Sequence, residues 1–352
     1  CKATTAGCTA FLLRELGMQP SYLIGGVPAD LPRGCAITDG EVFVGEGDEY
    51  DSAFFDKGPK FLHYNPSFCV IANVEFDHAD IYKDLDDVKR AFRTLAGLLA
   101  PTGSLTYWAD DENVRDVVKD CKGHLLSYGL KEGDYRAKVE AVESTGTRFS
   151  LTHQGSALGA LEIPMSGEYN VLNATAVVVM ALQLGIEWAT IQKAFASFKG
   201  VKRRQETLGE PRGILVIEDF AHHPTAVRVT LQGLRDKYKN RRLLCAFEPR
   251  SATSRRKIFQ KEYVRSFKGV DAAFIAAAYD QTKIQEADRF SSAELVADLQ
   301  NSGINARVGH SSDEILSQIQ HAAKPGDVIV LMSNGGFGGI YPKLLQALAS
   351  PS

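Results

Sequence analysis

The sequence predicts an α/β protein built on two mostly parallel sheets, and two observations carry that expectation. Short apolar runs at 68–72, 103–108, 214–217, 243–247, 272–275, 306–308 and 328–331 alternate with amphipathic stretches of helical period. That is the rhythm of βαβ units. Acidic, histidine-bearing or glycine-rich segments follow several of these runs, and strand carboxyl ends are where open α/β sheets bind ligands.

Composition narrows the classes. The 352 residues are 44% hydrophobic, enough for more than one core. A formal net charge of −3 leaves no basic footprint for nucleic acid, and no apolar run reaches bilayer-spanning length. The six cysteines, at 1, 8, 35, 69, 121 and 245, show no paired metal spacing. Several lie in apolar runs, as reduced thiols do, and no secretory apolar region is visible, so a soluble cytoplasmic protein is expected.

Taken in order, Lys2-Ala3-Thr4-Thr5 opens a helix that runs through 9–16 to Gly17. A lysine followed by threonines at a helix start reads as the back half of a phosphate-binding loop or as an ordinary helix N-terminus. The glycine-rich front half is missing and the chain starts at Cys1 without an initiator methionine, so a trimmed chain is expected. Glu46, Asp48, Glu49 and Asp51 follow a strand-like run at 42–44; Glu75, Asp77, His78 and Asp80 follow the run at 68–72. Two carboxylate-rich strand ends with one imidazole suit a divalent cation among phosphates, although any of these acids taken singly reads as a solvated loop charge.

Asp86 is placed to cap a helix with Val88, Phe92, Leu95 and Leu99 on one face. From about 134 to 164 the alternation predicts antiparallel strands at a sheet edge, followed by helices at 171–184 and 188–198. Asn170 and Asn173 share one face at the start of the first of these. Their carboxamides read a base edge, or Asn170 only caps the helix.

The pattern restarts beyond Arg204, so a boundary near 200–204 divides the chain into 1–200 and 201–352. Arg203 and Arg204 at that junction read either as a phosphoryl clamp or as an exposed basic pair. Asp219, His222 and His223 follow a strand and open a helix at Pro224, forming a candidate ligand shelf; no third ligand supports a metal there. Glu248-Pro249-Arg250-Ser251 leaves the 243–247 run, where Arg250 offers a bidentate fork to a carboxylate. The last strand leads into Ser333-Asn334-Gly335-Gly336-Phe337-Gly338-Gly339, whose amides can approach an anion or form only a tight turn.

In this order the segments resemble the Mur ligase family over essentially the whole chain. The resemblance is carried by Leu23-Ile24-Gly25-Gly26-Val27-Pro28, by Asp48-Glu49-Tyr50-Asp51-Ser52-Ala53-Phe54-Phe55-Asp56-Lys57, by Glu75-Phe76-Asp77-His78-Ala79-Asp80, by Glu248-Pro249-Arg250-Ser251 and by the last glycine run. The Asp-Glu-Tyr-Asp and Asn-Gly-Gly-Phe-Gly-Gly versions resemble the murein-peptide branch of the family. The resemblance implies a P-loop-type central ATPase domain with a mostly parallel sheet and a C-terminal Rossmann-like α/β domain, without the N-terminal UDP-binding domain. It implies an ATP-dependent, Mg2+-using ligase of peptidoglycan recycling. Such an enzyme joins UDP-N-acetylmuramate to the tripeptide L-alanyl-γ-D-glutamyl-meso-diaminopimelate through an acyl phosphate.

By family pattern Lys2 contacts the β- and γ-phosphates, Glu46 and His78 hold magnesium, and Arg204 meets a phosphate. Asn170 and Asn173 face adenine and Asp219 the ribose, with His223 beside it; Arg250, Ser251, Asn334, Gly335 and Gly336 belong to the peptide. Two positions depart from the pattern. Ala3 stands where the family has a hydroxyl that ligates magnesium, leaving Thr4 as the substitute. Arg93 falls where other members carry a carbamoylated lysine, a ligand arginine cannot form. A chain so trimmed is expected not to ligate by itself. The alternatives are the alanine-adding branch, an inactive nucleotide-binding module and, from the last glycine run alone, a nicotinamide enzyme. No acidic ribose ligand follows that run.

Overall fold

The computed structural model describes residues 1–350, and the chain divides into two compact units, Cys1–Lys202 and Arg203–Ser352. The first unit begins with helix α1 (Lys2–Glu15), buried along most of its length from Ala3 to Leu13. A small sheet follows from β1 (Ser21–Leu23), β2 (Cys35–Ala36) and β3 (Phe43–Gly45), in the order β2-β1-β3. An antiparallel hairpin, β4 (Asp51–Ala53) and β5 (Asp56–Pro59), comes next.

The main sheet is assembled from β6 (Phe68–Ile71), helix α2 (Leu85–Gly97), β7 (Ser104–Trp108), α3 (Glu112–Val117) and β8 (His124–Gly129). Strands β9 (Tyr135–Glu143), β10 (Gly146–His153) and β11 (Ser156–Ile163) complete it. β6 to β9 pair in parallel, whereas β9–β10 and β10–β11 are antiparallel, as the alternation at 134–164 leads one to expect. Helices α4 (Glu168–Gln183) and α5 (Trp188–Phe195) close the unit. α4 is apolar on nearly every side and is buried from Asn170 to Val179, as an all-round apolar helix must be.

One local expectation is corrected. Asp84, not Asp86, caps α2: its extended backbone lets its carboxylate accept the Asp87 N–H at 2.9 Å. Asp86 lies inside the first turn, where an acid favours the helix dipole without capping. Leu99 is buried, but lies beyond the end of the helix.

The second unit runs β12 (Glu206–Gly209), β13 (Leu215–Asp219), α6 (Pro224–Lys237), β14 (Leu243–Phe247), α7 (Gln260–Ser266), β15 (Ala272–Ala276), α8 (Ser292–Asn301), β16 (Asn305–Gly309), α9 (Ser312–Ala322), β17 (Val328–Met332) and α10 (Ile340–Ala349). The sheet order is β12-β13-β17-β14-β15-β16, parallel except for β12. Alternation within single strands sends side chains into two cores. Leu243, Cys245 and Phe247 pack with Val227, Leu231 and Leu295 on one face, while Leu244 and Ala246 pack with Ile315, Ile319 and Leu344 on the other. Coverage on both faces is why these strands read as unbroken apolar runs. It also directs polar chemistry to the strand ends.

Candidate active site

In the first unit, three elements converge on one carboxylate. Lys2 opens α1, Glu49 precedes β4, and His78 lies in the loop after β6. The Lys2 ammonium bonds Glu49 Oε2, and His78 Nε2 lies 3.2 Å from Glu49 Oε1. The Tyr50 ring sits against the His78 imidazole at 4.2 Å, and the Tyr82 hydroxyl donates to the Glu49 carbonyl at 2.9 Å. His78 itself has a left-handed backbone, φ 54°, and its N–H donates to Asp77 Oδ1 at 2.7 Å. A left-handed backbone is uncommon in residues other than Gly, and such strain tends to collect at functional loops.

The electrostatics follow from this geometry. Burial alone would raise the Glu49 carboxyl, but the His78 hydrogen bond and the Lys2 charge outweigh it and hold it at about 2. Burial would lower His78, but the Glu49 hydrogen bond and the Asp77 charge leave its pKa above the ordinary value.

Glu49 therefore contributes stability above about pH 4.5 and loses it as pH falls towards about 2, while His78 contributes below 6.5 and loses it as pH rises through its raised value. In cation-free buffer, Glu49→Gln is expected to lower Tm most between about pH 4.5 and 6.5, and much less near pH 2. Thermal melts across pH check this. A Tm difference that does not vary with pH would contradict it.

Glu46 has a different partner: its Oε2 accepts the Gly25 N–H at 2.6 Å. Among the described residues no group of three or more His, Cys, Asp or Glu side chains forms a metal cage. The hard oxygen donors and single imidazole here nevertheless fit magnesium, which usually takes one or two carboxylates and leaves its remaining positions to phosphate and water. Ala3 is buried, and a Cβ added to Gly26 would lie 3.3 Å from its own Cβ. Thr4 is likewise buried.

Asn170 and Asn173 do share a face, with Asn173 Nδ2 donating to Asn170 Oδ1 at 3.3 Å. Gly167 caps the helix, and Asn170 Nδ2 donates back to the Ser166 carbonyl at 2.9 Å. Asn173 Oδ1 accepts from the Cys1 nitrogen at 2.9 Å and the Thr5 hydroxyl at 3.3 Å. The Asn173 carboxamide thus braces the start of α1, and Asn170 holds Asn173.

In the second unit, the Arg204 guanidinium lies over the Phe220 ring at 4.5 Å. Buried Asp219 accepts from the Gln205 and Ala221 N–H groups, each at 2.8 Å. Its carboxyl is raised by burial, against the opposing pull of Arg204 and those two amides. His223 caps α6, its Nδ1 accepting the Thr225 N–H at 3.3 Å.

A second cluster joins the ends of β14 and β17, which are adjacent parallel strands. Arg203 donates to Glu218 at 2.6 Å and to the carbonyls of Ser333 at 3.0 Å and Gly335 at 2.5 Å. The Ser333 hydroxyl donates to Glu248 and accepts the Gly335 N–H at 2.8 Å. Arg250 Nη1 lies 3.6 Å from Glu248 Oε1, and its guanidinium lies 3.8 Å from the Tyr279 ring centre. Ser251 is buried and bonded to Ser254, Asn334 Oδ1 is buried without a hydrogen-bond partner among the described residues, and Gly336 is exposed.

Two stretches of sequence match known domain families: residues 39–181 the Mur ligase middle domain, and residues 203–335 the glutamate ligase domain of Mur ligases. The chain belongs to the Mur ligase family. It is 33% identical over 351 residues to the UDP-N-acetylmuramate–L-alanyl-γ-D-glutamyl-meso-2,6-diaminoheptanedioate ligase of Escherichia coli K12, covering 99% of this chain and 74% of that one. It is 31% identical over 348 residues to the UDP-N-acetylmuramate–L-alanine ligase of Desulfitobacterium hafniense Y51, with the same coverage. The solved murein peptide ligase of Psychrobacter arcticus 273-4 matches with a TM-score of 0.72 and 30% identity over 99% of this chain and 76% of that one.

Within this family, Arg93 is drawn to α3, donating to Asp116 at 2.7 Å. Glu49 and Tyr279 were not singled out from the sequence. Glu49 is one acid among several in its loop, and only the fold selects it. For Tyr279 a signal existed, an aromatic just past a parallel strand's carboxyl end. No described helix is long and apolar enough to cross a membrane.

Proposed function

We propose that this Mur ligase uses ATP to join UDP-N-acetylmuramate to L-alanyl-γ-D-glutamyl-meso-diaminopimelate, as a murein peptide ligase of peptidoglycan recycling. The observation that carries this reading is the Arg250 fork beside the Ser333–Gly335 turn, anchored through Glu248. A tripeptide bearing several carboxylates needs such a group, and L-alanine alone, with a single carboxylate, needs less of it.

In this reading Lys2 neutralises the β- and γ-phosphates and exchanges its Glu49 contact for them. Glu46 and His78, with Glu49 alongside, would hold magnesium, which would supply charge neutralisation for the phosphates. In the first unit this reading assigns Thr4, Asn170 and Asn173 to the nucleotide; in the second it assigns Asp219 and His223 to the nucleotide and Arg204 to a phosphate. The muramyl lactate carboxylate takes the γ-phosphoryl group and releases ADP. The peptide's free amine then attacks that acyl phosphate, losing a proton and expelling phosphate. Charge neutralisation and alignment dominate, so no protein nucleophile is required.

The relatives divide between tripeptide and L-alanine addition, which makes the alanine reading the rival. Calorimetric titration with each amine is expected to give at least tenfold tighter binding of the tripeptide. Equal or tighter binding of L-alanine would refute the assignment.

A further inference from the structure

Arg250 is closely surrounded for a residue whose donors are unspent. Its side chain is 30% exposed, and among the described residues none of its N–H groups donates a hydrogen bond; the Glu248 oxygen at 3.6 Å is an ion pair beyond hydrogen-bond length. Two residues nevertheless crowd it. Its central carbon lies 3.8 Å from the centre of the Tyr279 ring. Gly335 lies close to the same side chain: an added Cβ there would fall 2.2 Å from Arg250 Cδ and Nε. Both neighbours are fixed through their backbone groups: the Tyr279 N–H donates to the Pro249 carbonyl at 2.9 Å, and Gly335 is held by the Arg203 guanidinium and the Ser333 hydroxyl.

Tyr279 is 47% exposed and belongs to neither core of its unit, so packing does not explain its place. A stacked arginine keeps its plane while its outer edge stays open to a planar anion. We infer that Tyr279 is a positioning residue that holds the Arg250 fork for a substrate carboxylate, with Gly335 leaving the room its side chain occupies. The inference rests on the assignment of Arg250 to the peptide. Its content is that the ring, not the phenol hydroxyl, sets affinity for the carboxylate.

The test uses the whole chain, titrated calorimetrically with L-alanyl-γ-D-glutamyl-meso-diaminopimelate, together with the NMR signal of the Arg250 Nε–Hε group in the free protein. Tyr279→Ala is expected to weaken the peptide about three- to tenfold and to shift the Arg250 signal, while Tyr279→Phe restores both. Gly335→Ala is expected to displace the guanidinium and to weaken the peptide at least as much. ATP affinity is expected to stay unchanged in all three. An Arg250 signal indifferent to Tyr279→Ala would overturn the inference whether or not peptide binds. So would unchanged peptide affinity in Tyr279→Ala when Arg250→Ala weakens it. Unchanged affinity in Arg250→Ala would instead overturn the peptide assignment, and the role of Tyr279 with it.

Discussion

In a version of the chain extended to the full length of its relatives, His78→Asn is expected to lower magnesium-dependent ATP turnover by about a hundredfold or more while leaving Tm within a few degrees. The choice of asparagine matters. His78 sits at φ 54°, a conformation asparagine tolerates, whereas alanine would add about 1–2 kcal/mol of backbone strain. The substitution removes the imidazole that reaches Glu49 and keeps the turn from which the Ile81 and Tyr82 N–H groups bond the residue 78 carbonyl. Loss of turnover with the fold intact therefore reports on chemistry. Near-native turnover, measured as phosphate release against magnesium concentration, would remove His78 from the proposed metal site.

The second large effect is at the other cluster. In the same full-length version, Arg250→Lys is expected to raise the tripeptide KM roughly ten- to a hundredfold with little change in the KM of ATP. Lysine keeps the charge but loses the planar fork, and it cannot fill the space beside Tyr279 and Gly335 in the same way. The competing account is that Arg250 only neutralises Glu248, its neighbour at 3.6 Å. In that case peptide kinetics would hardly change and thermal stability would fall. Steady-state kinetics with both substrates, beside a melting curve, separates the two.

The parallel strands of the second unit were legible because burial on both faces makes β14, β15 and β17 unbroken apolar runs. Their order was not legible, because nothing local tells β17 to pair between β13 and β14. β12 escaped notice because Glu206–Gly209 is short and polar, and its pairing to β13 depends on tertiary position. At the site, residue types at strand ends identified His78 and Arg250 as candidates, and the start of the first helix identified Lys2. Their contacts are another matter. Glu49 rather than Glu46 faces His78, and Asn173 braces α1, because loop paths far apart in sequence decide which carboxylate or carboxamide arrives. Asp84 displaced Asp86 as a cap through a two-residue shift that composition in an acid-rich turn cannot resolve.

The most direct test of the account is ligation itself. A version of the chain extended to the full length of its relatives is incubated with UDP-N-acetylmuramate, ATP and magnesium, with the tripeptide or L-alanine as amine, and product mass and phosphate are followed together. The account predicts one phosphate per amide formed, release that depends on the tripeptide, and a product equal in mass to UDP-N-acetylmuramate plus tripeptide less one water. Preferential formation of the L-alanine adduct, or phosphate release indifferent to the tripeptide, would contradict it.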